Sequence, residues 1–384
     1  MHLKLPSQPL VIRLACTLLS LMAIGYLVIL GKEIMAPFLF ACLFSVLLLP
    51  LAKFFEKKWR FRRNMASMAA VLLMVLCIGG LFYFLGAQMS RLADDWPQFK
   101  EQLNTSISDL QHWISRSFHI SMTKQANYVK DATTKMVDTG ASVAGATLVS
   151  VSSIVIFTVF TMIYTFFFLF YRGLILKFLV KVFKESNGGL VVEIIEQVQF
   201  IVRKYIVGLL IEMSIVSAVV SIIFSLMGVK YAVLLGVVTG IFNLVPYIGI
   251  FSAIILSALI TFASAAAGKV LWVVIVLVIV HMLDSNLLLP LVVGSKVKIN
   301  AMITVLGVVL GEMMWGIPGM FLSIPVIAVL KIIFDRIEPM QPWGLLLGED
   351  DTGPKSAVEK TLGTEPTLED RVGADLQEPD NTSV

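Results

Sequence analysis

The sequence predicts an all-α, polytopic membrane protein with about eight membrane segments, two of them broken and able to re-enter the bilayer. Of its 384 residues, 58% are hydrophobic and only 15% are charged, which is more apolar than soluble domains usually are. Several apolar runs also approach the roughly 20 residues that cross a bilayer core. A soluble protein of this length would carry polar stripes along its helices, and these runs lack them.

Six apolar runs form the clear membrane segments. The first, from Leu10 to Leu30, is longer than the apolar region of a signal peptide and is followed by no small-residue cleavage pattern, so we interpret it as a span. The three cysteines lie inside candidate spans without metal-ligand spacing, and we therefore expect no disulfide framework, metal or other cofactor. The other five segments lie at about residues 34–52, 65–85, 147–171, 206–227 and 270–290.

Positive charge orients these segments. The loop "KFFEKKWRFRRN" between the second and third spans contains six lysines and arginines, and short cytoplasmic loops carry such an excess. The N-terminus is therefore predicted to be cytoplasmic, residues 86–146 external and the next basic loop cytoplasmic again. This assignment divides the chain into three N-terminal spans (1–85), an external helical segment (86–146), a membrane core (147–340) and a tail (341–384).

Three segments outside the spans have distinct compositions. In 86–146, apolar residues recur in steps of three and four from Leu92 to Ile114, which is typical of an amphipathic helix. This helix either folds back on its own chain, the favoured interpretation, or docks another protein. Residues 190–205 repeat the pattern and are predicted to lie along the cytoplasmic interface. The acidic tail lacks large apolar residues and is predicted to be disordered.

Two apolar stretches, 231–266 and 301–331, are too long for one ordinary crossing and too short for two. Proline and glycine interrupt each near its middle, in "FNLVPYIG" and "GEMMWGIPG", and should break the helix there. Irregular backbone at membrane depth is tolerated only inside protein or beside a watery cavity, and paired broken helices mark substrate or ion paths in transporters. The alternative is a pair of kinked spanning helices.

Two lysines between the broken stretches favour one topology. If residues 231–266 turn back as a hairpin, Lys296 and Lys298 are cytoplasmic, whereas a single crossing would place them outside. The excess of Lys and Arg in cytoplasmic loops therefore favours two opposed hairpins.

The segment "HMLDSN" places polar residues in an otherwise apolar span between the two broken stretches. A carboxylate at membrane depth costs a few kcal/mol or more and normally faces a cavity or a partner. Asp284 and Asn286 are therefore candidates for a proton, cation or substrate path, and the alternative is a site at the membrane interface beside Lys296. His281 lies three residues earlier on roughly the same face, where a packing role is the alternative.

Three further polar residues join this candidate path. Glu212 lies in the span 206–227, where it either contributes to the path or extends its carboxylate to the interface. Glu312 adjoins the second break, and Asn243 lies beside the first, where its amide would cap the broken helix or line the path. The residues predicted to form breaks and hinges are Pro246, Gly249, Pro290, Gly294, Gly311, Gly316, Pro318, Gly319 and Pro325.

The motifs of common enzyme classes do not occur. The sequence contains no HExxH, no P-loop and no phosphate-binding GxGxxG, so we expect neither an enzyme nor an ATP-driven pump. An intramembrane hydrolase that uses Asp284, Glu212 and Glu312 is a minor alternative. The basic loops suit anionic lipid rather than nucleic acid, and the bilayer is the expected partner. A non-transporting membrane scaffold is the alternative of another class.

The order of the external segment, "NLVPYIG", "DSNLLLPLVVGSKV" and "GEMMWGIPGMFLSIPVIAVLK" resembles the autoinducer-2 exporter family of bacterial permeases over nearly the whole chain except the tail. The resemblance implies an inner-membrane transporter and a homo-oligomer, with a pentamer as the suggested state. It also implies export of autoinducer-2 in some members and sodium/proton exchange in others. The family's motif positions are Asn243, Pro246, Gly249, Asp284, Asn286, Pro290, Gly294, Gly311, Glu312, Gly316, Gly319 and Pro325.

Overall fold

The computed structural model describes residues 10–118, 152–182, 188–245, 248–264, 267–288, 291 and 299–348. The predictions for residues 349–384 of the acidic tail, for residues 119–151 and for Pro246, Pro290 and Gly294 lie outside these residues. The first residues of the predicted disordered tail, Gln341–Leu347, instead form a short helix. The all-α prediction is confirmed, since the described residues form helices and no strand beyond an isolated bridge between Ile299 and Gly348.

Thirteen α-helices are described, and we number them in chain order. They are α1 (Leu10–Leu30), α2 (Lys32–Lys58), α3 (Arg63–Asp94), α4 (Trp96–Phe118), α5 (Ser152–Phe170), α6 (Arg172–Val182), α7 (Gly188–Leu226), α8 (Ala232–Phe242), α9 (Ile248–Ser264), α10 (Ala267–Leu283), α11 (Ala301–Trp315), α12 (Ile317–Arg336) and α13 (Gln341–Leu347). A π-helical turn, Asp284–Leu288, follows α10, and a 3₁₀ turn, Glu338–Met340, precedes α13.

Six of the described helices are long and apolar enough to cross a membrane, namely α2, α3, α5, α7, α10 with its π turn, and α12. Five of them correspond to predicted spans. The sixth, α12, belongs to the second broken stretch, and the apolar part of α1, Leu14–Leu30, is shorter than the six. The polytopic membrane fold is therefore confirmed, and the assignment of α1 as a span stays a prediction.

The long helix α7 differs from the sequence prediction. Residues 190–205 were expected to form an interfacial helix separate from the span 206–227, but one helix of 39 residues runs through both. No proline separates the two parts, so nothing in the sequence interrupts the backbone hydrogen bonds. At 1.5 Å per residue, such a helix is about 58 Å long, roughly twice the thickness of a bilayer core. The N-terminal part of α7 therefore extends beyond that core.

The two ends of the helix bundle carry different charges. We call the "basic end" the one that carries Lys53, Lys57, Lys58, Arg60, Arg62, Arg63 and Arg172, where α2 meets α3 and α5 meets α6. There Arg172 forms an ion pair with Glu56, with a shortest N–O distance of 2.6 Å. At the opposite end, Asp95 follows α3 and forms an ion pair with Lys230, just after α7. The helix α7 therefore runs from the basic end to the opposite end.

Two clusters of buried apolar side chains hold the bundle together. The N-terminal cluster joins α2, α3 and α5 through small and large residues that include Ala52, Ala70 and Leu169. The C-terminal cluster joins α7, α8, α9 and α10 through residues that include Phe224, Leu235 and Leu277. A third cluster links α2, α7 and α12 and connects the two halves.

The first broken stretch folds back on itself, and we call α8–α9 the first hairpin. It starts after the Asp95–Lys230 ion pair at the opposite end of the bundle. It returns to that end, because the Lys269 ammonium group at the start of α10 donates a hydrogen bond of 3.2 Å to the carbonyl oxygen of Gly228, which follows α7. The helix α4 packs against α9, so it folds on its own chain as the favoured interpretation had it.

The second broken stretch forms a hairpin from the other end, and we call α11–α12 the second hairpin. Its base lies at the basic end, because the Arg336 guanidinium group in α12 donates a 2.7 Å hydrogen bond to Glu193 in the N-terminal part of α7. The start of α11 lies beside the same base, where the Asn300 amide donates to the carbonyl of Leu347. The two hairpins therefore enter the bundle from opposite ends.

Candidate functional site

The tip of the first hairpin presents an asparagine to two neighbouring helices. The helix α8 ends at Phe242, and Asn243 follows as its C-cap. The turn then tightens, since the amides of Leu244 and Val245 donate to carbonyls three residues earlier. This turn requires Gly249 in α9, because a Cβ atom there would lie 1.8 Å from the carbonyl oxygen of Phe242. The close turn brings the Asn243 side chain against α7 and the end of α10.

The Asn243 side chain bridges two carboxylates. Its Nδ2 atom donates a 2.7 Å hydrogen bond to Oε1 of Glu212 in α7 and a 2.8 Å hydrogen bond to Oδ2 of Asp284. An amide nitrogen has two hydrogens, so both are used. One side chain thus holds together three elements that lie far apart in sequence. We call Glu212, Asn243 and Asp284 the "carboxylate pair site".

Both acids of this site are shielded from solvent. The exposed fraction is 3% for Glu212 and 4% for Asp284. The second oxygen of each, Oε2 of Glu212 and Oδ1 of Asp284, is buried and has no hydrogen-bond partner among the described residues. A buried carboxylate oxygen without a partner is costly, so the site has an unmet demand for a proton or a cation.

Repulsion between the two carboxylates also favours a proton or a cation at this site. Two unit negative charges about 4 Å apart repel by roughly 4 kcal/mol even at an effective dielectric constant of 20, and Asn243 brings no positive charge. No lysine, arginine or histidine forms an ion pair with either acid in the described part of the chain. This arrangement can therefore hold a proton or a monovalent cation between its two carboxylates.

The ligand chemistry is oxygen-rich. The site offers carboxylate oxygens, which are hard donors that suit a proton, sodium or another hard cation rather than a soft transition metal. Asp284 also begins the π-helical turn, and π turns within helices occur frequently at functional sites because they redirect side chains.

The other predicted path residues lie outside this hydrogen-bonded group. Asn286 is exposed, and its amide donates to the carbonyl of Met282 at 2.7 Å. His281 lies 3.4 Å from the Ser285 hydroxyl through Nε2. Glu312 is exposed on α11, and no hydrogen bond or ion pair is described for its carboxylate. Of the six predicted path residues, Glu212, Asn243 and Asp284 are therefore brought together, and the other three are not.

The tip of the second hairpin is built from glycines instead of polar groups. A Cβ atom on Gly319 would lie 1.9 Å from the carbonyl oxygen of Gly311, so the two backbones touch where α11 and α12 meet. Gly316 turns the chain with a φ of +68°, a conformation that favours glycine. Pro318 lies in the first turn of α12, and Pro325 is buried within that helix. The Trp315 indole at the tip donates to the Val28 carbonyl in α1 at 3.0 Å.

Sequence reasoning grouped Glu212 with Asp284 in one candidate path, but it did not identify their pairing through Asn243. The two residues lie on different helices, and no periodicity links them. One signal was available: both acids lie in apolar spans predicted to run in opposite directions, with the first broken stretch between them.

The sequence matches a family of membrane transporters along most of its length. A sequence profile described as AI-2E family transporter matches residues 15–338. The chain is 27% identical to the protein YueF of Bacillus subtilis (strain 168) over 315 residues, which cover 78% of this chain and 83% of that protein. It is 23% identical to the AI-2 transport protein TqsA of Escherichia coli (strain K12) over 324 residues, which cover 83% of this chain and 90% of TqsA.

Proposed function

Because the chain belongs to the AI-2E transporter family, we propose that it is a secondary transporter that exports a small polar solute across the bacterial inner membrane. Autoinducer-2 is the first solute to test, since one relative, similar over most of its length, is named an AI-2 transport protein. The chain contains no nucleotide-binding motif, so we expect an ion or solute gradient to drive export.

The carboxylate pair site carries this proposal. In it, Asp284 and Glu212 bind the coupling ion, a proton or sodium. Asn243 links ion binding to the tip of the first hairpin, because its side chain donates to both acids. The support is geometric: both acids are buried, each has a free oxygen, and both bond to one amide at a helix break. Loading a cation would remove the repulsion between the acids, and unloading would restore it, so hairpin position and ion occupancy would be coupled.

A sodium/proton antiporter is the second candidate, and the same pair of carboxylates favours it. Two acids that share one site can exchange one cation for another without any further solute. The two candidates differ in whether an organic solute crosses together with the ion, and a transport assay separates them.

The proposed topology has both hairpins re-entrant and both chain termini cytoplasmic, with the basic end in the cytoplasm. The excess of Lys and Arg at that end supports this orientation, and the bases of the two hairpins at opposite ends of the bundle support re-entrance. We also propose a homo-oligomer, with a pentamer as the state to test. Apolar side chains cover much of the outer surface, for example Met22 of α1 at 72% exposed and Leu271 of α10 at 64% exposed, where lipid or a second copy would pack.

Transport by purified protein in liposomes tests the function. Wild type should move autoinducer-2, or another polar solute or cation, under a sodium or proton gradient. Asp284→Asn and Glu212→Gln should each lower gradient-driven flux at least tenfold and change its pH dependence, because each removes one ion-binding carboxylate while nearly preserving volume. Glu33→Gln is the matched control, since Glu33 is an exposed acid of α2 outside the predicted path, and its flux should stay near wild type.

The outcomes discriminate between the candidates. Ion exchange without solute flux would select the antiporter. Protein-dependent flux that Asp284→Asn leaves unchanged at matched protein density would remove the carboxylate pair site from the mechanism. Absence of flux for every solute and cation under both gradients would favour the membrane scaffold.

A further inference from the structure

A cavity of about 480 Å³ opens at the basic end, remote from the carboxylate pair site. It lies between α2, the junction of α5 and α6, and the N-terminal part of α7. Its wall is mostly apolar and reaches from the bundle to α6, on which Leu174 and Phe178 are exposed. The apolar lining includes Val46, Leu49, Phe168, Leu169, Ile175 and Leu179.

The same cavity contains two arginines whose donors lack acceptors. In Arg63, Nε and Nη2 are buried without a hydrogen-bond partner among the described residues. In Arg172, Nη2 donates to both carboxylate oxygens of Glu56, at 2.6 and 2.9 Å, but Nη1 is buried and unpaired. Two residues that line the cavity therefore carry three guanidinium nitrogens without an acceptor among the described residues. Leaving a buried charged donor without an acceptor is costly, so a ligand rich in oxygen acceptors would relieve that cost.

The net charge of the lining is positive. Lys53 adds a third cation, whereas Glu56 is already paired with Arg172 and Glu196 is an exposed acid on α7. An adjoining cavity of about 430 Å³ shares Lys53 and adds Arg203. Apart from Arg172, which is paired with Glu56, the main cavity is therefore lined by two cations, Lys53 and Arg63, and one acid, Glu196.

We propose that this cavity binds an anionic phospholipid of the leaflet at the basic end. The phosphate accepts hydrogen bonds from Arg63 and Arg172, whose planar guanidinium groups match phosphate oxygens, and an acyl chain lies along the apolar wall. A free anion would leave that wall uncovered, and a neutral lipid would leave the arginines without a counter-charge. Basic pockets between membrane helices on the cytoplasmic side are known to bind lipid headgroups of this kind. A lipid here would join α2, α3, α6 and α7, which helps to explain why α6 lies against the bundle.

The test measures lipid binding to the full-length protein purified in detergent. Native mass spectrometry and thermal unfolding are carried out with phosphatidylglycerol, phosphatidylcholine or inorganic phosphate added. Phosphatidylglycerol should bind at about one molecule per chain and raise the melting temperature, and phosphatidylcholine should do neither. Arg63→Gln should weaken phosphatidylglycerol binding about fivefold to tenfold, from the loss of one charge beside the headgroup. Arg62→Gln is the matched control, because it removes an exposed arginine one residue away that does not line the cavity.

Three results would overturn the proposal. Equal weakening by Arg63→Gln and Arg62→Gln would indicate a diffuse basic surface, and equal stabilisation by phosphatidylcholine would indicate a purely apolar groove. Stabilisation by inorganic phosphate to the same extent as by phosphatidylglycerol would indicate a site for a free anion. Should Arg63→Gln fail to fold, Lys53→Gln at an exposed position tests the same cavity, and unchanged phosphatidylglycerol binding in that variant would then reject the proposal.

Discussion

The two hairpins have similar connectivity but different chemistry at their tips. The first hairpin ends in Asn243, which bonds to one carboxylate on each of two neighbouring helices. The second ends at Gly316, where the backbones of Gly311 and Gly319 touch and the nearby Glu312 is exposed. A break in an apolar helix is therefore not by itself a binding site. Among the described residues, only the first break brings its polar side chain against acids contributed by other helices.

The bases of the two hairpins differ in position as well. The first is held at the opposite end by Asp95 and Lys230, and the second at the basic end by Arg336 and Glu193. Leu244 at the first tip and Trp315 at the second pack against the same buried cluster. The tips therefore share one packing surface.

The largest expected effect is an all-or-none difference in accessibility between the two bases. In a background in which Cys16, Cys42 and Cys77 are replaced by serine, Lys269→Cys should react with a membrane-impermeant thiol reagent added to intact cells. Glu338→Cys, just after α12 at the base of the second hairpin, should react only after permeabilisation. Lys296→Cys, between the hairpins, should behave like Glu338→Cys. Labelling of Lys296→Cys in intact cells would contradict the opposed hairpins and would show that each broken stretch crosses the membrane once.

The next effect concerns the glycine contact that distinguishes the second tip. Gly319→Ala should destabilise the protein by about 3 kcal/mol, because the added methyl group would lie 1.9 Å from the carbonyl oxygen of Gly311 and the two helices would have to separate. Gly268→Ala in α10 is the control, since a Cβ atom there meets nothing within 4 Å. Thermal unfolding in detergent provides the comparison. Equal melting temperatures for the two variants would show that the hairpin tolerates separation.

The sequence predicted where the two apolar stretches break much better than which residues each break brings into contact. Proline and glycine act locally, so both breaks could be located from single residues: the first lies beside Asn243 and the second at Gly316, as the motifs indicated. Helix class and most of the spans followed from apolar length alone. The separation of residues 190–205 from 206–227 was wrong because amphipathicity changes along α7 without any residue that interrupts its backbone.

The assembly of the site could not be read from the sequence. Asp284 was expected to share a polar path with all five other candidates. Its hydrogen-bonded group includes only Asn243 and, through it, Glu212. Burial, rotation of each helix about its axis and the depth of the hairpin tip decide such contacts, and none of these is a local property of the chain.

The smallest expected effect tests the base of the first hairpin, through Asp95. The Tyr231 hydroxyl donates a 2.6 Å hydrogen bond to the Asp95 carboxylate, and Lys230 lies 2.9 Å from the same oxygen. These two partners, the tyrosine first, lower the pKa of Asp95 below its ordinary value of 3.8. The folded protein therefore favours the ionised acid, so this contribution to stability is fully present above about pH 4 and is lost as the pH falls through the lowered pKa.

Asp95→Asn should accordingly lower the melting temperature slightly at pH 7, on the order of 1 °C because the pair is partly exposed, and the difference from wild type should be smaller at pH 3. Asp94→Asn controls for the loss of a negative charge at the same end, since no side-chain partner of Asp94 is described. If Asp95→Asn and Asp94→Asn shift the melting temperature equally at both pH values, the Tyr231 and Lys230 contacts do not hold the hairpin base. Its position would then depend on the buried cluster of α7 to α10 alone, in contrast to the second hairpin, where glycine contacts at the tip hold the two helices together.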